Sequence, residues 1–97
     1  MTTISIDRES HSISGSNQQV GLTPCEYNLL TCLVENAGRT LSRPDLLRDA
    51  WHWDYATEVR TKTVDMHVRR LRAKLEKAGL DPRLIVTVRG RGYAFVA

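Results

Sequence analysis

The stretch KTVDMHVRRLRAKL, residues 62–75, combines an apolar stripe with a strongly basic surface. Its apolar positions recur at the i, i+4, i+7 and i+11 spacing of one helical face, formed by Val64, Val68, Leu71 and Leu75. The opposite face carries Lys62, Met66, Arg69 and Ala73. The pattern predicts a helix with one buried side and one side offered to a partner. Because lysine and arginine dominate the offered side, the predicted partner is a polyanion.

Length and charge distribution agree with such a partner. The 97 residues predict a single domain over residues 1–97, which would bury roughly 60 to 68% of its unfolded surface. The net charge of +3 is unevenly distributed. Residues 1–58 carry four arginines against eight acidic residues, whereas residues 59–97 carry ten lysines and arginines against three acidic residues. A basic C-terminal part is typical of a nucleic-acid-binding face, although a solvated surface is the ordinary alternative for a charged run.

The cysteines and histidines predict no metal or redox site. Cys25 and Cys32 would lie about 10 Å apart along a helix, too far for a disulfide, so we expect two reduced core or boundary residues. His52 and His67 lack the paired spacing of a zinc site, and we expect no cofactor. No apolar run approaches roughly 18 residues and no signal-peptide core follows Met1, which predicts a soluble, cytoplasmic chain without a membrane partner.

Two further helices are predicted upstream of the basic one. Thr23 to Glu26, TPCE, has the form of a capping box with proline at the first helical position, and it predicts a core helix of about 12 residues. Ser42 and Asp45 repeat the capping box and begin a shorter helix. The preceding residues 1–22 alternate in short pieces, which predicts an antiparallel meander of two to four strands.

The remaining segments predict a loop and a hairpin. Residues 52–60, HWDYATEVR, break the helical periodicity and suit either packing against the core or contact with a partner protein. Gly79 and Pro82 end the basic helix. Two β-prone runs then flank residues 89–92, RGRG, which predicts a β-hairpin with arginines at its tip.

Together these elements predict an α+β fold, a winged helix-turn-helix. It would consist of a small N-terminal antiparallel sheet in residues 1–22, a three-helix core in residues 23–78 and a C-terminal β-hairpin wing in residues 84–97. An α-helix fits the major groove of B-DNA, where the base edges differ, and a cationic wing can reach the minor groove beside it. We therefore predict that the partner is double-stranded DNA.

The predicted DNA contacts on the basic helix are Lys62, Thr63, Met66, Arg69, Arg70 and Arg72. Arg70 and Lys62 can offer donors to guanine, and Met66 can pack on a thymine methyl, so these three are expected to read sequence. Arg69 and Arg72 are expected to anchor the helix, and Thr63 suits phosphate oxygens better than bases.

The predicted contacts on the wing are Arg89 and Arg91. Both suit the minor groove or its phosphates, because a narrow A·T-rich groove concentrates negative potential.

The order of these residues resembles a known family. TVDMHVRRLRAKL (63–75) followed by VRGRGYAF (88–95) resembles the signature of the OmpR/PhoB-type DNA-binding domain, the output module of two-component response regulators. Earlier landmarks around Leu22-Thr23 and Leu41-Ser42 also match, so the resemblance spans essentially all 97 residues. It implies a four-stranded N-terminal sheet, three helices and a C-terminal hairpin. It further implies head-to-tail homodimers on direct-repeat promoter sites.

The resemblance also assigns roles by position. Lys62, Met66, Arg69, Arg70 and Arg72 would form the major-groove face with its phosphate flanks, and Arg89 would be the minor-groove residue. The loop between the second and third helices would touch RNA polymerase through His52, Trp53, Asp54, Tyr55 and Glu58. Met66 replaces the valine or isoleucine that is more usual in the family, and Arg91 stands where a small or polar residue is common.

The regulatory half of such a regulator is not visible in this sequence. A receiver domain needs about 120 residues of alternating strands and helices with a phospho-accepting aspartate. We therefore expect an excised effector domain rather than a stand-alone transcription factor, with a sensor kinase acting only through the missing receiver domain. A winged-helix protein-interaction module is the alternative. An enzyme is not expected, because no catalytic residues, metal-ligand spacing or phosphate loop can be identified.

Overall fold

The computed structural model describes residues 4–16, 18–52 and 58–96. The elements are β1 (Ser5–Asp7), β2 (Ser12–Ser14), β3 (Gln19–Gly21), α1 (Pro24–Glu35), α2 (Arg43–Trp51), α3 (Glu58–Lys77), a 3-10 turn (Pro82–Leu84), β4 (Ile85–Val88) and β5 (Gly92–Phe95). Strands β1 to β3 form an antiparallel sheet, and β4 pairs with β5 in a hairpin. The predicted winged helix-turn-helix is confirmed.

The N-terminal sheet has three strands in the described part of the chain. Ile13 in the central strand pairs with Ile6 and Val20 and is fully buried, so the sheet closes one side of the core. The four strands implied by the family resemblance are not found there. Between α1 and α2, Leu41 forms a β-bridge with Tyr93 of the C-terminal hairpin and not with the N-terminal sheet.

Both predicted capping boxes form. Thr23 Oγ1 accepts a hydrogen bond from the Glu26 N–H at 3.2 Å, and Glu26 Oε1 accepts one from the Thr23 N–H at 2.8 Å. Ser42 and Asp45 exchange the equivalent bonds at 3.1 and 3.2 Å. Each pair satisfies two backbone groups that a helix start leaves without an internal partner, which is why α1 and α2 begin where the sequence predicts.

Helix α3 begins earlier than predicted. The loop prediction for residues 52–60 is wrong for residues 58–60, which already belong to the helix. Apolar periodicity detects a helix only where apolar residues recur at helical spacing, and the apolar stripe that predicts this helix begins at Val64. The helix therefore starts before the stripe from which it is predicted.

The back of α3 is the centre of the hydrophobic core. Its four predicted apolar residues, Val64, Val68, Leu71 and Leu75, are at most 1% exposed. They belong to one cluster with buried leucines of α1 and α2. Because α3 is polar on its remaining faces, this burial determines which of its side chains stay outside.

Replacement of Leu71 by alanine should lower the free energy of unfolding by about 2 to 5 kcal/mol, since it removes a fully buried side chain and leaves a cavity. Urea denaturation measures the change. Met66→Ala in the same helix is the matched control, because Met66 is 47% exposed, and its effect should stay within about 0.5 kcal/mol. Similar losses in both variants would contradict the orientation of α3.

Candidate nucleic-acid interface

One side of α3 presents the predicted major-groove residues together. Lys62, Met66, Arg69 and Arg70 are exposed, whereas Thr63 and Arg72 are half-buried at the edges of that surface. The exposed group contains three cations and one large apolar side chain, which suits a ligand with charged phosphates and apolar base methyls.

The hairpin tip presents the two predicted wing arginines. Arg89 and Arg91 are exposed on either side of Gly90. The Arg91 N–H donates to the Val88 carbonyl at 2.9 Å, which closes a tight turn, and Gly90 occupies its third position with φ of 75°. This conformation favours glycine. The turn therefore holds both guanidinium groups at the end of the hairpin.

The base of the hairpin packs closely against the segment before α2. Tyr93 and Leu41 exchange backbone hydrogen bonds of 3.0 and 2.8 Å. Gly92 has φ of 147°, and a Cβ atom there would lie only 2.0 Å from the Leu41 carbonyl oxygen. The hairpin can approach α2 this closely only with glycine at residue 92.

Arg72 is bound within the fold. Its Nε and Nη2 donate to the Ile85 carbonyl at 3.1 and 2.8 Å, and Nη2 also donates to Thr87 Oγ1 at 2.8 Å. Both acceptors belong to β4, so Arg72 links α3 to the hairpin. The sequence predicts this residue only as an anchor to DNA. The link was missed because a backbone carbonyl acceptor leaves no pattern in the sequence.

Asp65 is the second link, and no sequence pattern assigns it a role. Its Oδ1 accepts hydrogen bonds from Tyr93 Oη at 2.6 Å and from Arg43 Nε at 2.7 Å. The guanidinium groups of Arg43 and Arg72 lie 5.2 and 5.8 Å from the centre of the Tyr93 ring. Burial and the bond to Asp65 raise the pKa of the Tyr93 hydroxyl. One carboxylate oxygen thus joins α2, α3 and β5.

The other flank of α3 is held by an ion pair with α1. Lys74 donates from Nζ to Glu26 Oε1, the carboxylate that also caps α1, and Glu26 is only 2% exposed. Burial by itself raises the pKa of Glu26, but the hydrogen bonds from Lys74 and Thr23 outweigh it and leave the pKa below its ordinary value. The pair fixes the C-terminal half of α3 beside the start of α1.

The predicted polymerase-contact loop is described only in part. His52 ends α2 in the left-handed conformation, with φ of 60°, and it is exposed. Trp53, Asp54 and Tyr55 lie outside the described residues, and Glu58 is the first residue of α3. Next to the loop, the ring of Trp51 meets His67 of α3 edge to face, with centroids 5.2 Å apart.

Other chemistry finds little support in the described ranges, 4–16, 18–52 and 58–96. They contain no group of three or more histidine, cysteine or acidic side chains that could hold a metal ion. Cys25 and Cys32 are free thiols, and burial raises the pKa of Cys32 to about 11, which disfavours its reactive thiolate. Among those same residues, no helix has the length and hydropathy needed to cross a membrane.

Comparison with known proteins identifies the family. The family model for the transcriptional regulatory protein, C terminal, matches residues 17–95. The chain belongs to this family. Its members are DNA-binding domains of transcriptional regulators and not enzymes, so the resemblance to OmpR/PhoB-type output domains is confirmed, as is the predicted class of function.

A relative and two solved structures illustrate the match. The probable transcriptional regulator ycf27 of Porphyridium aerugineum is 41% identical over 92 residues, which cover 95% of this chain and 38% of that protein. The DNA-binding domain of the response regulator AdeR, in complex with an intercistronic region, is 29% identical with a TM-score of 0.79, and the match covers 100% of this chain and 97% of that domain. The DNA-binding domain of Klebsiella pneumoniae RstA, in complex with the RstA box, is 28% identical with a TM-score of 0.77, covering 96% and 90%.

Replacement of Glu26 by glutamine should lower the free energy of unfolding at pH 7 by about 1 to 2 kcal/mol, because the charged acceptor for Lys74 is lost. Since the folded-state pKa of Glu26 is lowered, its contribution is present above the ordinary carboxyl pKa and is lost as the pH falls through the folded value. The difference from wild type should therefore shrink in acid. Urea denaturation between about pH 7 and pH 3 measures it. Glu76→Gln on the exposed side of α3 is the control, and a difference independent of pH would contradict the expectation.

Proposed function

We propose that this chain binds double-stranded DNA in a sequence-specific manner, as the output domain of a two-component response regulator that controls transcription. The observation that carries the proposal is the division of α3 into a fully buried back and an exposed front with Lys62, Arg69 and Arg70. A helix fixed in this way keeps these exposed cations on one side, and the major groove of B-DNA is wide enough to admit it.

The proposed contacts divide into reading and anchoring. Arg70, Lys62 and Met66 read base edges in the major groove, while Arg69 and Thr63 contact phosphates. Arg72 contacts a phosphate only with donors beyond those that bind β4, so its main contribution to DNA binding is through the hairpin.

The wing contact is proposed for the exposed arginines of the hairpin tip. Arg89 enters the minor groove, and Arg91 adds a contact to the groove or its phosphates. Both are stronger where the flanking groove is narrow and A·T-rich, because the negative potential there is highest.

The proposed partners extend beyond DNA. Two copies would bind direct-repeat promoter sites head to tail, and residues 52–60 would contact RNA polymerase. The chain spans 38% of the length of the curated relative described above, which leaves room for a receiver domain that a sensor kinase phosphorylates. Such a regulator would act in the cytoplasm, where its promoters are.

The affinity for duplex DNA should fall steeply with salt. For roughly 6 to 10 phosphate contacts per dimer, the slope of log affinity against log salt should be about −5 to −9. Fluorescence anisotropy on duplexes selected from a random pool measures the slope, and the selection itself gives the half-site and the repeat spacing. A flat slope would contradict the proposal and favour a winged-helix module that binds protein.

Arg70→Ala should weaken binding to the selected site by about 1 to 3 kcal/mol and reduce discrimination against a changed base pair, since a bidentate contact to a base is lost. Arg69→Ala, one residue away and also exposed, is the matched control, and it should lose affinity about equally for selected and random DNA. Titration of both variants with both duplexes measures this. Equal losses for Arg70→Ala would make Arg70 a phosphate contact.

A further inference from the structure

Helix α3 holds both strands of the hairpin. Asp65 binds Tyr93 of β5, and Arg72 binds Ile85 and Thr87 of β4. Asp65 and Arg72 are seven residues apart, which places them on the same side of the helix and about 10 Å apart along its axis. Two contacts at this separation resist rotation of the hairpin as well as its translation.

We propose that Asp65 is a positioning residue for DNA binding, which together with Arg72 sets the angle between α3 and the hairpin. This inference rests on the proposed function, in which α3 occupies the major groove and Arg89 the minor groove. Asp65 itself need not touch DNA. Its contribution is to hold the wing where Arg89 can reach the minor groove once α3 is seated.

The geometry of the hairpin makes the angle important. The tip lies about three residues beyond the contacts at Thr87 and Tyr93, or about 10 Å at the rise of a strand. A rotation of about 10° at the base would move the tip by about 2 Å, enough to break a hydrogen bond of ordinary length. Leu41 supports the hairpin from the side of α2, so the contacts from α3 supply the support on the side of the recognition surface.

The charge of Asp65 fits a positioning role better than a direct one. A carboxylate beside the basic surface of α3 repels phosphates, and its side chain is 44% exposed. Arg43 offsets this charge by donating to Oδ1 from the first residue of α2. The same oxygen accepts a hydrogen bond from Tyr93, so the ion pair with Arg43 and the contact with the hairpin share one carboxylate oxygen.

The proposal predicts coupling between the hairpin contacts and the wing. Tyr93→Phe removes only the hydroxyl that binds Asp65, and Arg89→Ala removes the wing contact. On a selected site with A·T-rich flanks, Tyr93→Phe should weaken binding by about 3- to 10-fold, with a smaller loss on G·C-rich flanks. In an Arg89→Ala background, Tyr93→Phe should cost much less than in the wild type, because a misplaced wing without Arg89 has only the Arg91 contact left to lose.

Two further variants separate positioning from stability. Thr87→Val removes one of the two Arg72 acceptors, at an exposed position of β4, and leaves the Ile85 carbonyl, so it should show the same coupling in weaker form without unfolding the protein. Tyr27→Phe makes the same chemical change as Tyr93→Phe on α1, far from the hairpin in sequence, and should leave the flank preference unchanged. Urea denaturation of every variant records its stability separately.

The outcomes distinguish this inference from the proposed function. Losses that add up in the double variants, or a Tyr93→Phe variant that loses stability but keeps the wild-type flank preference, would overturn the positioning role while leaving DNA binding intact. A wild-type protein with a flat salt slope, or an Arg89→Ala variant with equal losses on both flanks, would overturn the proposed function at the groove concerned, and the inference with it.

Discussion

Burial of one face of α3 is the constraint on which the rest of the structure depends. Leu71 and Leu75 cannot turn outward without exposing fully buried apolar surface, at a cost of about 1.5 to 3 kcal/mol per side chain. The rotation of the helix about its axis is therefore set by its apolar residues. Arg69 and Arg70 are exposed because they lie outside the buried stripe, whatever their own charge favours. The hydrophobic effect thus determines which face of α3 is exposed, and the basic residues on that face determine what kind of ligand it suits.

Apolar burial sets this rotation but does not orient α3 relative to its neighbours, because it is not directional. Hydrogen bonds are directional, and they occur on both flanks of the helix. Lys74 joins Glu26 on the side of α1, while Asp65 and Arg72 join the hairpin on the other side. The exposed front lies between two sets of polar contacts, each of which uses a charged residue of α3. The backbone of this surface can therefore be held in a fixed orientation even though its own side chains are exposed.

The sequence predicts the structural features that depend on residues close together in the chain. Capping boxes locate the starts of α1 and α2, apolar spacing identifies the buried face of α3, and the glycines and arginines of residues 89–92 predict the hairpin tip. What it misses depends on distant partners. The bond from Arg72 to Ile85 spans 13 residues and that from Tyr93 to Asp65 spans 28. Only tertiary packing brings these atoms together, so no local pattern distinguishes Arg72 from its exposed neighbours.

The long-range contacts of these side chains also change how the charge asymmetry is interpreted, because some of the cations bind other parts of the fold. Residues 59–97 contain ten lysines and arginines, but they do not all face a ligand. Arg72 binds the hairpin, Lys74 binds Glu26, and Arg83 binds Asp81 at 3.0 Å. Among the side chains that the structure describes, the exposed cations nearest the proposed grooves are Lys62, Arg69, Arg70, Arg89 and Arg91. Because counterion release follows the phosphates that are neutralised, the electrostatic part of the proposed DNA binding depends on which exposed side chains reach phosphates and not on the formal charge of the segment.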